Sequence, residues 1–237
     1  NVGIMIGDET YDPISSDNTF INNIVYHTER NFYYFNSPSD GGHLTNVLIA
    51  NNTFVDSTYL WTVQISAPAN GSIQTGPHVN TVYRNNITIQ TDSLPVGYFG
   101  STAGGVTYDH NAWSKTAPTV AQGAGDRTGD PLLVKTGSPF GDPWTSHYYD
   151  LQSASPVINV GATIASITDD FYGNARGPSY DMGAVEYIVA EPPPPPPPDP
   201  PPPPPGGGNV SRQGAVESDL RRVAIGSESR KVGAEYN

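Results

Sequence analysis

Short stretches of alternating side chains recur along the first half of the chain. Val47 and Ile49, and later Thr81 and Tyr83, alternate with their neighbours and lead into turns that contain asparagine. Such alternation places one side of a strand against a core and the other side toward solvent. No long stretch has the 3.6-residue period of a helix, and Gly, Asn, Thr and β-branched residues are frequent. The pattern predicts an all-β protein built from short strands.

The asparagine-containing segments form a repeat. Four of them begin at Asn18, Asn52, Asn86 and Asn111, separated by 34, 34 and 25 residues. A period of this size is typical of one turn of a solenoid. Asn tolerates left-handed backbone geometry, and its amide can bond to the corresponding amide one turn away. The spacing therefore predicts a buried ladder of these four asparagines, with Phe20, Phe54 and Trp113 pointing inward.

Four motifs in the second half carry a resemblance to a known family. They are Gly129-Asp-Pro-Leu-Leu-Val134, Leu151-Gln-Ser-Ala-Ser-Pro-Val-Ile-Asn-Val-Gly161, Asp169-Asp-Phe-Tyr-Gly-Asn-Ala-Arg-Gly-Pro178 and Asp181-Met-Gly-Ala-Val-Glu-Tyr187. In this order they resemble the closing signature of the choice-of-anchor Q domain, within the right-handed parallel β-helices of the pectate-lyase superfamily. The resemblance covers about residues 1–189. It implies a right-handed parallel β-helix whose C-terminal closing segment covers the end of the solenoid, and a fragment that lacks N-terminal turns.

A change of composition predicts where the folded domain ends. Thirteen prolines lie between positions 192 and 205, interrupted only by Asp199, and three glycines follow. Such a run forms a stiff polyproline II spacer with a flexible joint. We predict a β-helix domain at 1–189, a linker at 190–208 and a tail at 209–237. The proline run is a stalk or an SH3-type ligand, and the tail is disordered or docks to another chain.

Composition removes several functional classes. The 237 residues carry a net charge of -12, with 11 basic and 23 acidic residues, and contain no cysteine. Disulfide scaffolds, thiolate metal sites and Cys nucleophiles are excluded. The acidic balance argues against nucleic acid and anionic membranes as partners. No apolar run approaches the roughly 18 residues of a transmembrane span. The low charged fraction, 14%, predicts an extracellular or cell-surface protein.

A group of charged residues lies within the closing motifs. Asp169, Asp170, Arg176, Asp181 and Glu186 stand among Gly and Pro turns. An Arg beside several carboxylates usually fixes loops in place. A calcium site formed by Asp169, Asp170 and Asp181 is the alternative, because loops rich in carboxylate oxygens suit hard cations. We favour the structural interpretation, so no metal site and no cofactor is predicted.

Candidate catalytic residues are few. A lyase of this superfamily needs an Arg or Lys base, and the candidate is Arg84, directly before the Asn85-Asn86 corner. A solvated residue is the simpler interpretation of a single Arg on a sheet face. A glycosidase needs paired carboxylates, and no two Asp residues match in the repeat. No G-x-S-x-G motif is present, which argues against a serine hydrolase of that type.

Aromatic residues supply a second candidate site. Tyr33, Tyr34, Tyr59 and Trp61 lie on or near predicted strands of neighbouring turns. Rings exposed in a line can stack on sugar faces, whereas packing beneath an inserted loop explains the same residues structurally. The leading hypothesis is a structural or adhesive β-helix module that contacts polysaccharide. The alternative is a fragment of a polysaccharide lyase or glycosidase whose active site lies partly on missing N-terminal turns.

Overall fold

The computed structural model describes residues 1–8, 14–36, 43–59, 61–65, 78–99, 105–143 and 147–189. This part of the chain is all-β, with fifteen strands and one 3-10 helix, Thr119–Ala121. It contains no helix long and apolar enough to cross a membrane. The chain divides into two units, Asn1–Ala190 and Glu191–Asn237. The second unit, with most of the predicted linker and the whole predicted tail, lies outside the described residues, so the domain boundaries stay predictions.

The strands of the described residues form four sheets, and all pairings between these strands are parallel. The first sheet contains, in spatial order, β1 (Val2–Asp8), β5 (Arg30–Asn36), β9 (Val63–Ile65) and β12 (Gly97–Phe99). The second contains β2 (Ile14–Ser16) and β6 (His43–Thr45). The third contains β3 (Thr19–Ile21), β7 (Leu48–Ala50), β10 (Thr81–Arg84) and β13 (Val106–Asp109). The fourth contains β4 (Ile24–Tyr26), β8 (Thr53–Val55), β11 (Ile87–Ile89), β14 (Ala112–Trp113) and β15 (Arg127–Thr128).

The chain visits the sheets in the same order several times. Strands β1 to β4 pass through the first, second, third and fourth sheets, and β5 to β8 do the same. Strands β9 to β11 and then β12 to β14 pass through the first, third and fourth sheets. We call these sets repeats 1 to 4. The prediction of an all-β protein is confirmed, and its repeated parallel strands are compatible with a β-solenoid.

Inward side chains of neighbouring repeats stack in register to form the core. Ile49 of β7 lies beside Tyr83 of β10, and Phe54 of β8 lies beside Thr88 of β11. The rings of Tyr83 and Trp113 stack with centroids 5.7 Å apart, and the Tyr83 hydroxyl lies 2.9 Å from the Thr88 hydroxyl. All five side chains are buried. Each large apolar side chain buried in this way contributes about 1.5–3 kcal/mol.

Residues with left-handed backbone geometry mark the corners between the sheets. Asn22, Asn51, Asn85 and His110, each directly after a third-sheet strand, have φ between 52° and 56°. Asn is favoured at such positions because its short polar side chain tolerates positive φ better than an apolar one does. A second column with positive φ consists of Asp17, Asn46 and Asn80. The first two lie two residues before the third-sheet strands of repeats 1 and 2, and Asn80 lies one residue before that of repeat 3.

An asparagine ladder follows these corners. The backbone N–H and Nδ2 of Asn23 donate to Oδ1 of Asn52 over 3.0 and 2.9 Å. Asn52 donates in the same way to Asn86 over 3.0 and 2.9 Å, and Asn86 to Asn111 over 2.9 and 3.3 Å. Asp126 ends the ladder by accepting the Asn111 N–H at 2.8 Å. Three of the four asparagines selected from the sequence thus lie in one ladder.

Asn18, the fourth, lies outside it, which corrects the sequence prediction. Asn18 stands before β3, and its Nδ2 donates to the backbone carbonyl of Ser16 at 2.9 Å. The ladder position of repeat 1 belongs to Asn23, which is 29 rather than 34 residues before Asn52. Phe20, half-buried, accordingly pairs with Ile49 in the third sheet rather than occupying the position of Phe54.

The C-terminal part of the described chain, residues 129–189, which we call the closing segment, packs along the side of the repeats. Ile167 and Tyr180 form an apolar cluster with Ala50 on the outer face of the third sheet. Met182 and Val157 belong to a cluster on the outer face of the fourth sheet. The expectation that this segment covers the end of the solenoid is therefore wrong. Beside repeat 4, the main core instead incorporates Ala117 and Ala121, the last residue of the 3-10 helix.

Candidate functional site

The outer face of the first sheet carries a line of side chains from four strands. Alternation in β5 buries Phe32 and Tyr34 and turns Tyr33 outward. The register places Met5, Tyr33, Gln64 and Tyr98 in one row across β1, β5, β9 and β12. Parallel strands lie about 4.8 Å apart, so Tyr33 and Tyr98 are separated by about 10 Å with Gln64 between them.

Trp61 and Tyr98 form a stacked pair at one end of this row. Their ring centroids are 4.8 Å apart and the planes are inclined by 29°. Tyr98 is 44% exposed, and Trp61 is partly exposed. Stacking holds both rings in place before any ligand arrives, so little side-chain entropy remains to be lost on binding.

Arg30 organises the other end of the row. Its guanidinium carbon lies 4.6 Å from the ring centroid of Tyr33 and 5.9 Å from that of Tyr59. Tyr59 is 60% exposed. Partial burial raises the pKa of the Tyr33 phenol, an effect that the Arg30 charge opposes. The Arg30 Nε is buried and has no hydrogen-bond partner among the described residues, so stacking and charge govern how this side chain interacts with the rings.

We define the aromatic surface as these four rings and the guanidinium, which are Tyr33, Tyr59, Trp61, Tyr98 and Arg30. Tyr34, which the sequence analysis included, is 1% exposed and packs edge-on against His78 with centroids 5.2 Å apart. It offers no ring face to a ligand and is removed from the candidate site.

Tyr98 was missed because its register depends on a loop length that the repeat spacing does not give. The alternation Gly97-Tyr98-Phe99, with one exposed ring between buried neighbours, is the signal that marks it.

Arg84, the candidate base, is held in an ion pair. Its Nε and one terminal nitrogen donate to the two carboxylate oxygens of Asp109 over 2.5 and 2.6 Å. The hydrogen bond to Asp109 raises the pKa of Arg84. Burial alone would raise the pKa of Asp109, but hydrogen bonds from Arg84 and from His110, whose Nδ1 lies 3.0 Å away, lower it. The pairing stabilises the charged guanidinium and works against a role as proton acceptor.

The charged residues of the closing segment bind backbone groups and one another. The Arg176 side chain is fully buried, and its terminal nitrogens donate to Glu186, to Oδ1 of Asn22 at 2.8 Å and to the Gly183 carbonyl at 3.0 Å. One oxygen of Asp170 accepts the N–H groups of Tyr172 and Asn174 over 2.9 and 2.8 Å. These contacts join the closing segment to repeat 1, as a structural role requires.

The alternative calcium site has no geometric support in the described residues. Asp181 accepts the N–H groups of Asn159 and Tyr187 over 2.7 and 2.6 Å, one with each oxygen. Asp170 has its own backbone partners, and Asp169 contributes backbone carbonyl contacts to Asn22 and Arg176. Nowhere in the described ranges do three side chains of the metal-binding types come together.

Comparison with protein-family models and with curated proteins finds no match for this chain. The resemblance to the choice-of-anchor Q domain therefore rests on the motifs in the sequence alone. The geometry of the aromatic surface has to carry the functional argument by itself.

Proposed function

We propose that the chain is an extracellular or cell-surface module that binds polysaccharide through the aromatic surface. In this proposal the four parallel sheets form the faces of a right-handed parallel β-helix. Parallel strands joined by crossovers are right-handed in nearly all proteins, and the repeated order of the sheets supports successive turns of one helix. The choice-of-anchor Q type is the family we propose for it.

The stacked pair Trp61 and Tyr98 is the observation that carries the binding proposal. Large amphipathic rings on a sheet face offer apolar area to the C–H faces of sugars. The described residues build three apolar clusters, and none of them covers the outer face of the first sheet. Tyr33 and Tyr98 lie in one row across that sheet, with the buried Gln64 between them. An extended polymer suits rings spaced in this way better than a small ligand does.

An open surface of this kind predicts modest affinity. Each ring contributes a stacking contact of about 0.5–1.5 kcal/mol, and a flexible polymer loses conformational entropy when it is immobilised. We expect dissociation constants on the order of millimolar to micromolar. Multiple copies at a cell surface would raise the effective affinity, which agrees with an adhesive role.

The experiment is affinity electrophoresis against a panel of neutral and acidic polysaccharides, followed by calorimetry on those that retard the protein. Trp61→Ala and Tyr98→Ala should each weaken binding by about threefold to tenfold. Phe140→Ala, which removes a 55% exposed ring outside the aromatic surface, is the matched control and should leave binding unchanged. Unchanged binding in both ring variants, or no retardation by any polysaccharide, would overturn the proposal.

A polysaccharide lyase or glycosidase remains the alternative, and the same samples test it. An enzyme would release unsaturated or reducing-end products with time, and Arg84→Ala would abolish them. The ion pair between Arg84 and Asp109 favours the binding module, because a base held in its protonated form does not remove a proton.

A further inference from the structure

A cleft opens where the closing segment meets the fourth sheet, apart from the aromatic surface. It encloses about 200 Å³. Clefts that hold drug-sized ligands enclose about 300–1,000 Å³, so this one suits a smaller chemical group. Its lining residues come from the closing segment and from the ends of β4 and β8, and include Tyr26, Asp56, Lys135, Phe140, Tyr148 and Tyr149. No part of the function proposed above uses this cleft.

Four aromatic rings line the cleft. The ring of Tyr26 lies between those of Tyr149 and Phe140, with centroids 5.0 and 6.2 Å away. The ring of Tyr148 packs edge-on against Tyr149 at 5.0 Å. Phe140 is 55% exposed, and Tyr26 and Tyr148 are half-buried. A ligand can therefore reach at least three of the rings from solvent.

Asp56 supplies a negative charge beside these rings. It directly follows β8 and takes left-handed geometry, with φ of 47°. Its Oδ1 accepts the N–H and the hydroxyl of Thr91 over 2.7 and 2.9 Å, and its Oδ2 has no hydrogen-bond partner among the described residues. Asp56 is half-buried. Thr91 thus holds the carboxylate in place and leaves one oxygen for a ligand.

The electrostatics of the cleft favour a cation. Lys135 also lines it, but this residue is exposed, so solvent screens its charge more than that of the half-buried Asp56. The whole chain has a net charge of -12, and a field of that sign attracts cations and repels anions. Aromatic faces attract cations as well, through their negative π-systems.

We propose that this cleft binds a quaternary ammonium group. Such a cation has no N–H to donate, so it needs aromatic rings around its methyl groups and a carboxylate nearby, as this cleft offers. A primary ammonium has three N–H donors and would find few acceptors among these rings. The proposal is independent of polysaccharide binding, because it involves none of the residues of the aromatic surface.

Choline and its neutral isostere dimethylbutanol, in which a carbon atom replaces the nitrogen, are a matched pair of probes. Each is titrated into the ¹⁵N-labelled full chain, and the backbone amide signals of Asp56 and Phe140 are followed. Choline should shift both signals in a saturable manner, with an affinity at least about fivefold above that of the isostere. Equal affinities would show an apolar pocket without selection for charge. That result, or no shift with choline, would overturn the proposal.

Asp56→Asn tests the carboxylate. Asn keeps an oxygen for Thr91 and tolerates positive φ, so the variant should fold. Its affinity for choline should fall by about fivefold, and its affinity for dimethylbutanol should not change. Asp130→Asn, which alters an exposed carboxylate outside the cleft, is the matched control. Unchanged choline affinity in Asp56→Asn would refute the site.

Two further variants test the ring and the opposing charge. Phe140→Ala should weaken choline binding by about threefold, while polysaccharide binding stays unchanged. Lys135→Gln removes the nearby positive charge and should strengthen choline binding. A weaker binding of choline by Lys135→Gln would mean that the cleft selects an anionic partner, and would overturn the proposal.

Free choline and the headgroup of phosphatidylcholine carry the same quaternary ammonium group. Cosedimentation with phosphatidylcholine vesicles distinguishes the two sources. Cosedimentation that Asp56→Asn abolishes would support the site with a lipid headgroup as its ligand. Saturable choline binding without cosedimentation would support it with a free small cation.

Discussion

The asparagine ladder shows why one residue type recurs at one corner. In each step a single Oδ1 accepts both a backbone N–H and an Nδ2 from the preceding repeat, and the Nδ2 of Asn52 also donates to the Phe20 carbonyl at 2.9 Å. The Asn side-chain amide supplies both the donor and the acceptor that each step uses. Asp126 lacks the donor, and it accordingly stands at the last position, where it accepts from Asn111, Gly123 and Trp113.

The first prediction concerns Asn52. Asn52→Ala should lower the free energy of unfolding by about 1–3 kcal/mol, because the N–H and Nδ2 of Asn23 and the amide oxygen of Asn86 lose partners in a buried corner. Urea denaturation monitored by circular dichroism measures the change. Asn18→Ala is the matched control, since the Asn18 side chain donates to the Ser16 carbonyl within its own turn, and it should change the stability by less than about 0.5 kcal/mol. Equal losses in the two variants would refute the ladder as the source of stability.

The sequence predicts individual ladder residues only where the loops keep a constant length. Asn52 and Asn86 are 34 residues apart, so the repeat spacing identifies them. Asn111 breaks that spacing and is identified by the residues that flank it. Asn23 was missed because Asn18-Thr-Phe20 has the same sequence as Asn52-Thr-Phe54 but leads into the third sheet instead of the fourth. The doublets Asn22-Asn23, Asn51-Asn52 and Asn85-Asn86 are a better signal: the first residue takes the positive φ and the second forms the ladder.

At the scale of elements, the closing segment is fixed by a buried charge network. Arg176 reaches Asn22 of repeat 1, and Asn51 donates to the carbonyls of Asp181 and Gly183 over 3.2 and 3.4 Å. Gly183 has φ of 95°, and a Cβ there would lie 2.5 Å from the Ile87 side chain. The segment thus comes so close to the sheets that only glycine fits at this point.

The second prediction concerns Arg176. Arg176→Met should destabilise the protein by about 3–5 kcal/mol, because Glu186 would stay buried without a counter-charge. Burial and the nearby Asp181 already raise the pKa of Glu186, so the loss should be smaller at mildly acidic pH, where a protonated Glu186 needs no counter-charge. Denaturant unfolding at two pH values measures both effects.

The double variant Arg176→Met with Glu186→Gln supplies the control for this network. Gln keeps an acceptor for the Asp181 N–H, which now donates to Oε1 of Glu186 at 3.0 Å, and removes the unpaired charge. Part of the lost stability should return. A double variant as unstable as the sum of the single changes would mean that the two side chains do not act as a pair.

The composition and the order of the motifs predict that the closing segment is held by charged side chains, but they do not predict the path that this segment takes over the repeats. The dense charges among Gly and Pro turns indicate loop fixation. Whether the segment lies over the end or along the side depends on contacts such as that between Asn22 and Asp169, 147 residues apart in sequence. No local sequence pattern encodes a contact of that range. The path of the segment depends on burial of apolar side chains that are distant in sequence, such as the packing of Ile167 and Tyr180 on Ala50.

At the scale of the whole folded unit, the sheets differ in what covers them. Parallel sheets are usually buried on both faces. The closing segment provides this cover for the third and fourth sheets, through clusters that include Ala50 and Ile87. Among the described residues, the outer face of the first sheet has instead Tyr59 and Tyr98 at 60% and 44% exposure. This difference explains why the polysaccharide proposal places the ligand there.

The last prediction concerns where the folded unit ends. The closing segment is hydrogen-bonded as far as Tyr187, whose N–H donates to Asp181 at 2.6 Å, whereas the predicted linker begins a few residues later. Proline fixes φ and supplies no N–H, so a run of prolines does not join a sheet. Limited proteolysis of the full chain should therefore cleave beyond residue 190, at or after the three glycines at 206–208, and leave a fragment that contains residues 1–189. Calorimetry should give this fragment the midpoint temperature of the intact chain, because the described hydrogen bonds of the ladder and of the Arg176 network join residues that all lie within 1–189. A tail that resists protease, or a fragment that melts several degrees lower, would show that the C-terminal residues belong to the fold.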